Sequence, residues 1–523
     1  MASHPKNPQT AEKKGNSNVK KALIDISKYS IEPTTLKNLP KHIASKYAAL
    51  PLYLNGQVLF VAMATPEDIT AIDEIRRVSK INAIIPLYAP RDDILAAIDR
   101  HYGLQQKVQD IVQEIEKERI EQIEDEPEKD ASELQTIAEQ APVIKLVNHV
   151  ILRAIQDRCS DIHFEPDEKV LRVRCRHDGI LQESYIFQKE MESAVLARLK
   201  ISAGMDIAEK RKPQDGRIRF RLESKQIDVR VSSLPTLYGE NIVLRILDKT
   251  AVRMKLSSLG MDDYVLEKFN KIIHYPYGII LVTGPTGSGK STTLYAALNV
   301  INGVEKNIVT VEDPIEYNVE MVRQTQVNPR VGLTFANGLR SILRQDPDII
   351  MVGEIRDLET AEIASQAALT GHLVFSTLHT NDACGAVTRL ADMGIQPFLI
   401  ASSVVGVLAQ RLVRKICENC KAPIKVPPAL LKDLGIEHEK ASFYAGRGCD
   451  KCQYLKYLGR TTIQEFFEMT DEIRELIVAR AHQDELVKVA RKQGMLTLWE
   501  SGIDKAKRGI TTLEEVMKVT LRK

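Results

Sequence analysis

Residues 278–301 narrow most sharply what this chain can fold into. An apolar run, Ile279-Ile280-Leu281-Val282, leads into Gly284-Pro285-Thr286-Gly287-Ser288-Gly289-Lys290-Ser291-Thr292, and a segment of helical spacing follows. Glycines so placed let backbone N–H groups converge on one anion. Lys290 then neutralises β- and γ-phosphates, and the Ser291 hydroxyl ligates Mg²⁺. The N-terminus of the next helix adds partial positive charge. Strand, glycine loop and helix in that order predict a parallel α/β core that takes a nucleoside triphosphate. Strand candidates at 278–283, 307–311, 348–352 and 373–377 alternate with helix candidates at 290–300, 334–343, 358–369 and 382–393.

Such a loop serves many reactions, so the acidic residues downstream carry more information. The run Ile349-Ile350-Met351-Val352 ends at Gly353-Glu354, with glycine where a strand-end aspartate would support Mg²⁺. Glu354 is therefore the main candidate for a base that orients or deprotonates attacking water. Glu312 closes another strand, at the edge where doubly wound sheets bind ligands, and is a second candidate for Mg²⁺ or water. His379 lies just past a further strand end, either sensing the γ-phosphate or satisfied in the core.

At 523 residues the chain needs several cores. Residues 1–25 read as a disordered tail and 26–103 as a small α+β domain. Residues 104–140 read as an acidic linker; from 107 on, twelve Asp/Glu face four Lys/Arg, a net charge of −8. A second α+β domain spans 141–250. In it Arg172, Arg174 and Arg176, and likewise Arg217, Arg219 and Arg221, alternate with apolar residues, and Arg230 lies on the returning strand. Period-2 spacing puts each arginine set on one side of a sheet, a face suited to anions. The α/β core covers 251–415, a cysteine module 416–460, and a helical region 461–523.

Cys417-x-x-Cys420 and Cys449-x-x-Cys452 have the pairing of a structural Zn²⁺ site, although 28 residues separate the pairs. Cys159, Cys175 and Cys384 read as buried small apolar residues. A net charge of +2 and 5% aromatic residues disfavour a nucleic-acid surface. A zinc-ribbon nucleic-acid remodeller driven by ATP has only Arg411, Arg414, Lys415 and Lys421 in its favour. The N-terminus lacks the apolar stretch of a signal peptide, and no apolar run is long enough to span a bilayer. Membrane contact would therefore come through partners.

Together, 311–316, 353–357 and 371–381 resemble three motifs of the secretion ATPases of type II secretion and type IV pilus assembly (the GspE/PilB family): its Asp box, atypical Walker B and His box. Residues 160–166 and 213–217 match the family's domain before the ATPase core. The resemblance covers roughly 30–520 and, through 368–372, 397–400 and 408–412, leans toward the type II secretion ATPase; pilus assembly is the alternative. It implies a RecA-like phosphate-loop core that hydrolyses ATP with Mg²⁺, and a cytoplasmic homo-hexamer peripheral to the inner membrane. It also implies two partners, an inner-membrane platform protein and a membrane-anchored docking protein. Arg217, Arg230 and Arg245 match the arginines that complete the family's nucleotide site, and Arg340 and Arg344 look like further phosphate or interface arginines. An N-terminal docking role falls on 36–47 and 59–64. No Arg-Leu-Gly motif of the kind that binds cyclic di-GMP occurs in 1–60.

Overall fold

The computed structural model describes residues 24–26, 29, 31, 33–99, 101–102, 121–122, 141–222, 225–247, 255–436 and 442–520. Apart from 24–25 and 121–122, the expected tail (1–25) and acidic linker (104–140) lie outside the described residues.

Near the N-terminus, β1 (Ala49–Asn55), β2 (Val58–Met63) and β3 (Ala83–Tyr88) form a sheet with β2 central. The turn at Gly56 makes β1 and β2 antiparallel, and the crossover through α1 (Ile69–Ser79) makes β3 parallel to β2. Helix α1 starts where Asp68 accepts from the Ala71 N–H at 3.0 Å, a side-chain cap. Leu50, Leu52, Leu59, Val61 and Ile75 fill the core.

The second sheet holds β4 (Glu121–Gln122), β5 (Asp161–Pro166), β6 (Val170–His177), β7 (Ile180–Gln188), β8 (Gln214–Leu222), β9 (Lys225–Thr236) and β10 (Gly239–Leu247). Its order is β4-β8-β9-β10-β5-β6-β7, antiparallel throughout. Leu171, Val173 and Cys175 face the core, packed with Val150 and Ile151 of α2 (Ala141–Gln156) and Leu199 of α3 (Glu192–Ser202). The β6 arginines on the other face are already matched by carboxylates. Arg174 meets Glu165 through two bonds of 2.6 Å, Arg172 pairs with Glu183 and Asp167, and Arg176 pairs with Asp161 at 3.3 Å. Neighbouring strands supply these carboxylates, and a single strand's alternation says nothing about what lies across the ladder.

The third sheet contains β11 (Gly278–Thr283), β12 (Ile308–Glu312), β13 (Val322–Gln326), β14 (Ile349–Val352), β15 (Leu373–Leu378) and β16 (Val404–Ile416). A small hairpin, β17 (Lys421–Ile424) and β18 (Phe443–Gly446), intervenes before β19 (Tyr457–Glu468). The order is β13-β12-β14-β15-β11-β16-β19; the first six strands are parallel and β19 runs antiparallel at the edge. Helices cover both faces, which is why the central strands are buried along their whole length. Ile280 and Val282 pack with α4 (Asp263–Ile272) and α5 (Lys290–Ile301). Ile279 and Leu281 pack with α6 (Phe335–Ile342), α7 (Leu358–Leu369) and α8 (Cys384–Asp392).

Two features depart from the sequence reading. The sheet does not stop at 415, because β19 returns after the cysteine module to pair with β16. Residues 461–468 are accordingly strand, and helices dominate only from 471 onward. Gln464 and Glu465 break the apolar signature of β19. Glu465 is buried because its carboxylate accepts from Ala383 N (2.7 Å) and Leu498 N (3.3 Å), helix-start amides distant in sequence.

Candidate functional site

The glycine loop sits at the carboxyl end of β11, between β15 and β16. Gly287 and Gly289 have φ of 77° and 88°, a left-handed conformation that glycine adopts without strain. Gly284 meets a steric limit instead: a Cβ there would lie 2.6 Å from both Gln410 O and Ser288 Oγ. Lys290 opens α5 and its ammonium folds back on the loop, donating to Gly284 O (2.9 Å) and Pro285 O (3.2 Å). Burial depresses its pKa; nearby Glu354 opposes the shift and Arg411 adds to it. Ser288 Oγ is buried with no partner among the described residues, while Ser291 is exposed at the mouth.

Glu354 follows β14 on the same edge. Its segment is pinned to β15: Ile355 N donates to Thr377 O (3.1 Å) and Thr377 Oγ1 to Gly353 O (2.7 Å). Gly353 permits this path, since a Cβ would come within 3.3 Å of Glu312 Cα. The largely buried Glu354 carboxylate meets Arg356 Nη2 at 2.5 Å and His379 Nε2 at 3.3 Å. That pairing raises the Arg356 pKa. Loop, ammonium, carboxylate and imidazole thus converge at the ends of β11, β14 and β15.

Glu312 has a different setting. It is buried, and both oxygens are taken: Oε1 accepts from Thr310 Oγ1 (2.6 Å) and Gln324 Nε2 (3.0 Å), and Oε2 from Tyr295 Oη. Burial and the Glu312 carboxylate push the Tyr295 phenol well above its ordinary pKa. Glu312 therefore ties β12 to α5 and β13.

The arginines divide. Arg230 reaches across to the segment after β12, bonding Ile315 O at 2.9 Å and approaching Glu316 at 3.6 Å. Arg217 is exposed and its side chain makes no hydrogen bond or ion pair among the described residues. Arg245 stays in its own sheet, with Asp161 at 3.1 Å. Arg340 pairs with Glu359 at 2.5 Å, and Arg344 bonds Arg340 O.

The basic residues near the cysteines are largely engaged within the chain. Arg411 is buried behind the glycine loop, bonded to Gln410 O (3.0 Å) and Asn381 O (2.9 Å). Arg414 holds Glu515 at 2.7 Å and Lys421 stacks over Tyr444. Sequence reasoning missed Gln410 and the placement of Arg411 because β16 was not among its strand candidates.

In the insertion between β16 and β19, Cys417, Cys420, Cys449 and Cys452 bring their sulfurs within 4.8 Å of one another. Three Sγ···Sγ separations are 3.8, 3.9 and 3.7 Å. Thiolates about 2.3 Å from one tetrahedral Zn²⁺ stand ~3.8 Å apart, whereas a disulfide needs about 2.05 Å. Asn419 Nδ2, Gly448 N and Cys449 N point at these sulfurs from 3.2, 3.3 and 3.3 Å, as donors to thiolate do. The four cysteines thus fit a closed structural zinc site.

A parallel sheet with a glycine loop at one strand end and a carboxylate beside it defines a RecA-like phosphate-loop nucleotide hydrolase. Comparison with known proteins makes this specific. Residues 136–518 match the family model "Type II/IV secretion system protein", and residues 20–108 match the MshEN domain. The type II secretion system ATPase E of Vibrio cholerae is 54% identical over 381 residues, covering 73% of this chain and 76% of that protein. The type IV pilus assembly ATPase PilB of Myxococcus xanthus is 45% identical over 506 residues, covering 94% and 88%. The ATPase DotB of Legionella pneumophila shares the fold, with a TM-score of 0.55 at 22% identity over 72% of this chain and 95% of DotB. The chain belongs to the type II/IV secretion system ATPase family.

Proposed function

We propose that the chain is a motor that hydrolyses ATP to drive assembly of a pseudopilus for type II secretion. The convergence of Lys290 and Glu354 on one sheet edge supports this most directly. In this reading residues 284–292 cradle the triphosphate, Lys290 neutralises the β- and γ-phosphates and Ser291 ligates Mg²⁺. Glu354 takes the proton of the attacking water, and His379 holds the far oxygen of that carboxylate. Glu312 supports the site from behind. Arg217, Arg230 and Arg245 supply positive charge from the preceding domain of the same or a neighbouring subunit, which makes a homo-hexameric ring the working form. Zn²⁺ on Cys417, Cys420, Cys449 and Cys452 stiffens the β16–β19 insertion.

The partners are an inner-membrane platform protein and a membrane-anchored docking protein received by the N-terminal domain; nucleic acid is not one. Among the described residues no helix is long and apolar enough to cross a membrane. In this reading those partners hold the chain at the inner membrane. Pilus assembly is the second reading, favoured by the pilus ATPase relative's alignment along 94% of the chain. Deleting the gene separates the two: loss of secreted enzymes with pili intact supports type II secretion, and loss of pili alone overturns it. Sedimentation of the Mg²⁺–ATP-bound chain as a monomer at every concentration would rule out the ring.

A further inference from the structure

Gln410 lies on β16, one strand over from the glycine loop, and is fully buried. Its amide is used at both ends. Nε2 donates to Ser288 O at 2.8 Å, and Oε1 accepts from Thr293 Oγ1 at 2.9 Å. One side chain therefore bridges the last turn of the loop and the first turn of α5. The Ser288 carbonyl can only accept, so Nε2 must face it, and Oε1 is left to the hydroxyl of Thr293, itself buried. Gly289 leaves room for the bridge: a Cβ there would stand 3.1 Å from Gln410 Nε2.

The consequence follows from the geometry of the peptide unit. A trans peptide is planar, so the Ser288 C=O and the Gly289 N–H point in opposite directions. Gln410 draws the carbonyl toward β16, so the Gly289 N–H is turned away from β16. There it takes no protein partner among the described residues. With no side chain at Gly289 to resist rotation, this peptide can flip unless something holds it.

We infer that Gln410 is a positioning residue for nucleotide binding: it locks the Ser288–Gly289 peptide so that the Gly289 N–H faces the phosphates before ATP arrives. This rests on the reading of 284–292 as the ATP site. Without the lock, part of the binding energy goes into turning the peptide, and ATP binds more weakly while the bound complex reacts normally.

The test uses the full-length protein with Mg²⁺ and either ATP or a non-hydrolysable ATP analogue. Gln410→Glu keeps the acceptor for Thr293 but sets a carboxylate oxygen against the Ser288 carbonyl; Gln410→Met keeps the shape and loses both bonds. Each is expected to raise analogue Kd and ATP KM by about tenfold, the scale of one buried hydrogen bond, with kcat within about threefold of wild type. Thr293→Val, near-isosteric, leaves Gln410 Oε1 without its donor and loosens the amide, and should raise Kd by about threefold while lowering the melting temperature only by the few degrees one unsatisfied buried oxygen costs. A purely structural role would lower melting temperature and kcat together and leave KM alone. Analogue affinity within about twofold of wild type in folded Gln410→Met overturns the inference; should the Gln410 variants fail to fold, unchanged affinity in Thr293→Val does so. Lys290→Ala separates the two levels: if it too leaves affinity unchanged, the ATP-site reading fails rather than the role of Gln410 alone.

Discussion

Replacing Glu312 by Gln asks whether this carboxylate reacts or supports. Three donors converge on it: Thr310 and Gln324 at Oε1, Tyr295 at Oε2. An amide nitrogen in place of Oε1 would face the Gln324 NH₂, which cannot accept. The amide therefore turns its nitrogen to Tyr295, whose phenol oxygen already receives Glu316 N at 3.3 Å. The phenol can accept a second bond, but its own buried proton then loses its acceptor. An unsatisfied buried polar group costs about 1–3 kcal/mol. At ~2–4 °C per kcal/mol for a domain of this size, a 2 kcal/mol loss lowers Tm by about 4–8 °C. Calorimetry of wild type and Glu312→Gln reads that shift, and phosphate release at 25 °C should stay within about threefold of wild type. An unchanged Tm with hydrolysis abolished would refute the reasoning and make Glu312 the reacting carboxylate.

Three further outcomes follow from other contacts. Cys449→Ser should release about one Zn²⁺ per chain and expose 417–456 to protease while nucleotide still binds, since a structural zinc site supplies much of the folding energy of a small module; wild-type protein without zinc by elemental analysis would contradict this. Arg230→Ala and Arg217→Ala should slow turnover, and wild-type activity per subunit should rise with concentration as rings form; a concentration-independent rate with both variants unimpaired would make these arginines structural. Burial raises the pKa of Glu515, but its bonds to Arg414 outweigh that and leave it lowered. Its stabilisation is therefore present above the unfolded carboxylate value of about 4.3 and is lost as pH falls through the lower folded value. Glu515→Gln should flatten that acid limb of the Tm–pH curve, and a curve matching wild type would count against the pair.

The parts of the fold legible in the sequence were those whose signal is local. The runs through Ile280 and Ile350 declared buried parallel strands, and the loop of 284–292 declared its strand and helix. The two CxxC pairs declared a closed cluster despite the long gap. What stayed hidden depends on partners distant along the chain. Strands β16 and β19 carry Gln410, Arg411, Gln464 and Glu465 in buried positions, so their composition disguises them as loop or helix. Gln410, Arg411 and Glu465 are tolerated because Ser288, Asn381, Ala383 and Leu498 bring backbone atoms to them. The same limit hid the carboxylates across from Arg172 and Arg174, and the three donors around Glu312.

The central claim is that ATP is hydrolysed at the glycine loop with Glu354 as base. Steady-state phosphate release by full-length Glu354→Gln, measured beside its affinity for ATP, tests it most directly. The amide cannot take a proton, so the account predicts ATP affinity within about threefold of wild type and turnover reduced by at least about 10²-fold, the usual scale of general-base catalysis. Turnover within about threefold of wild type, with ATP still bound, would contradict it.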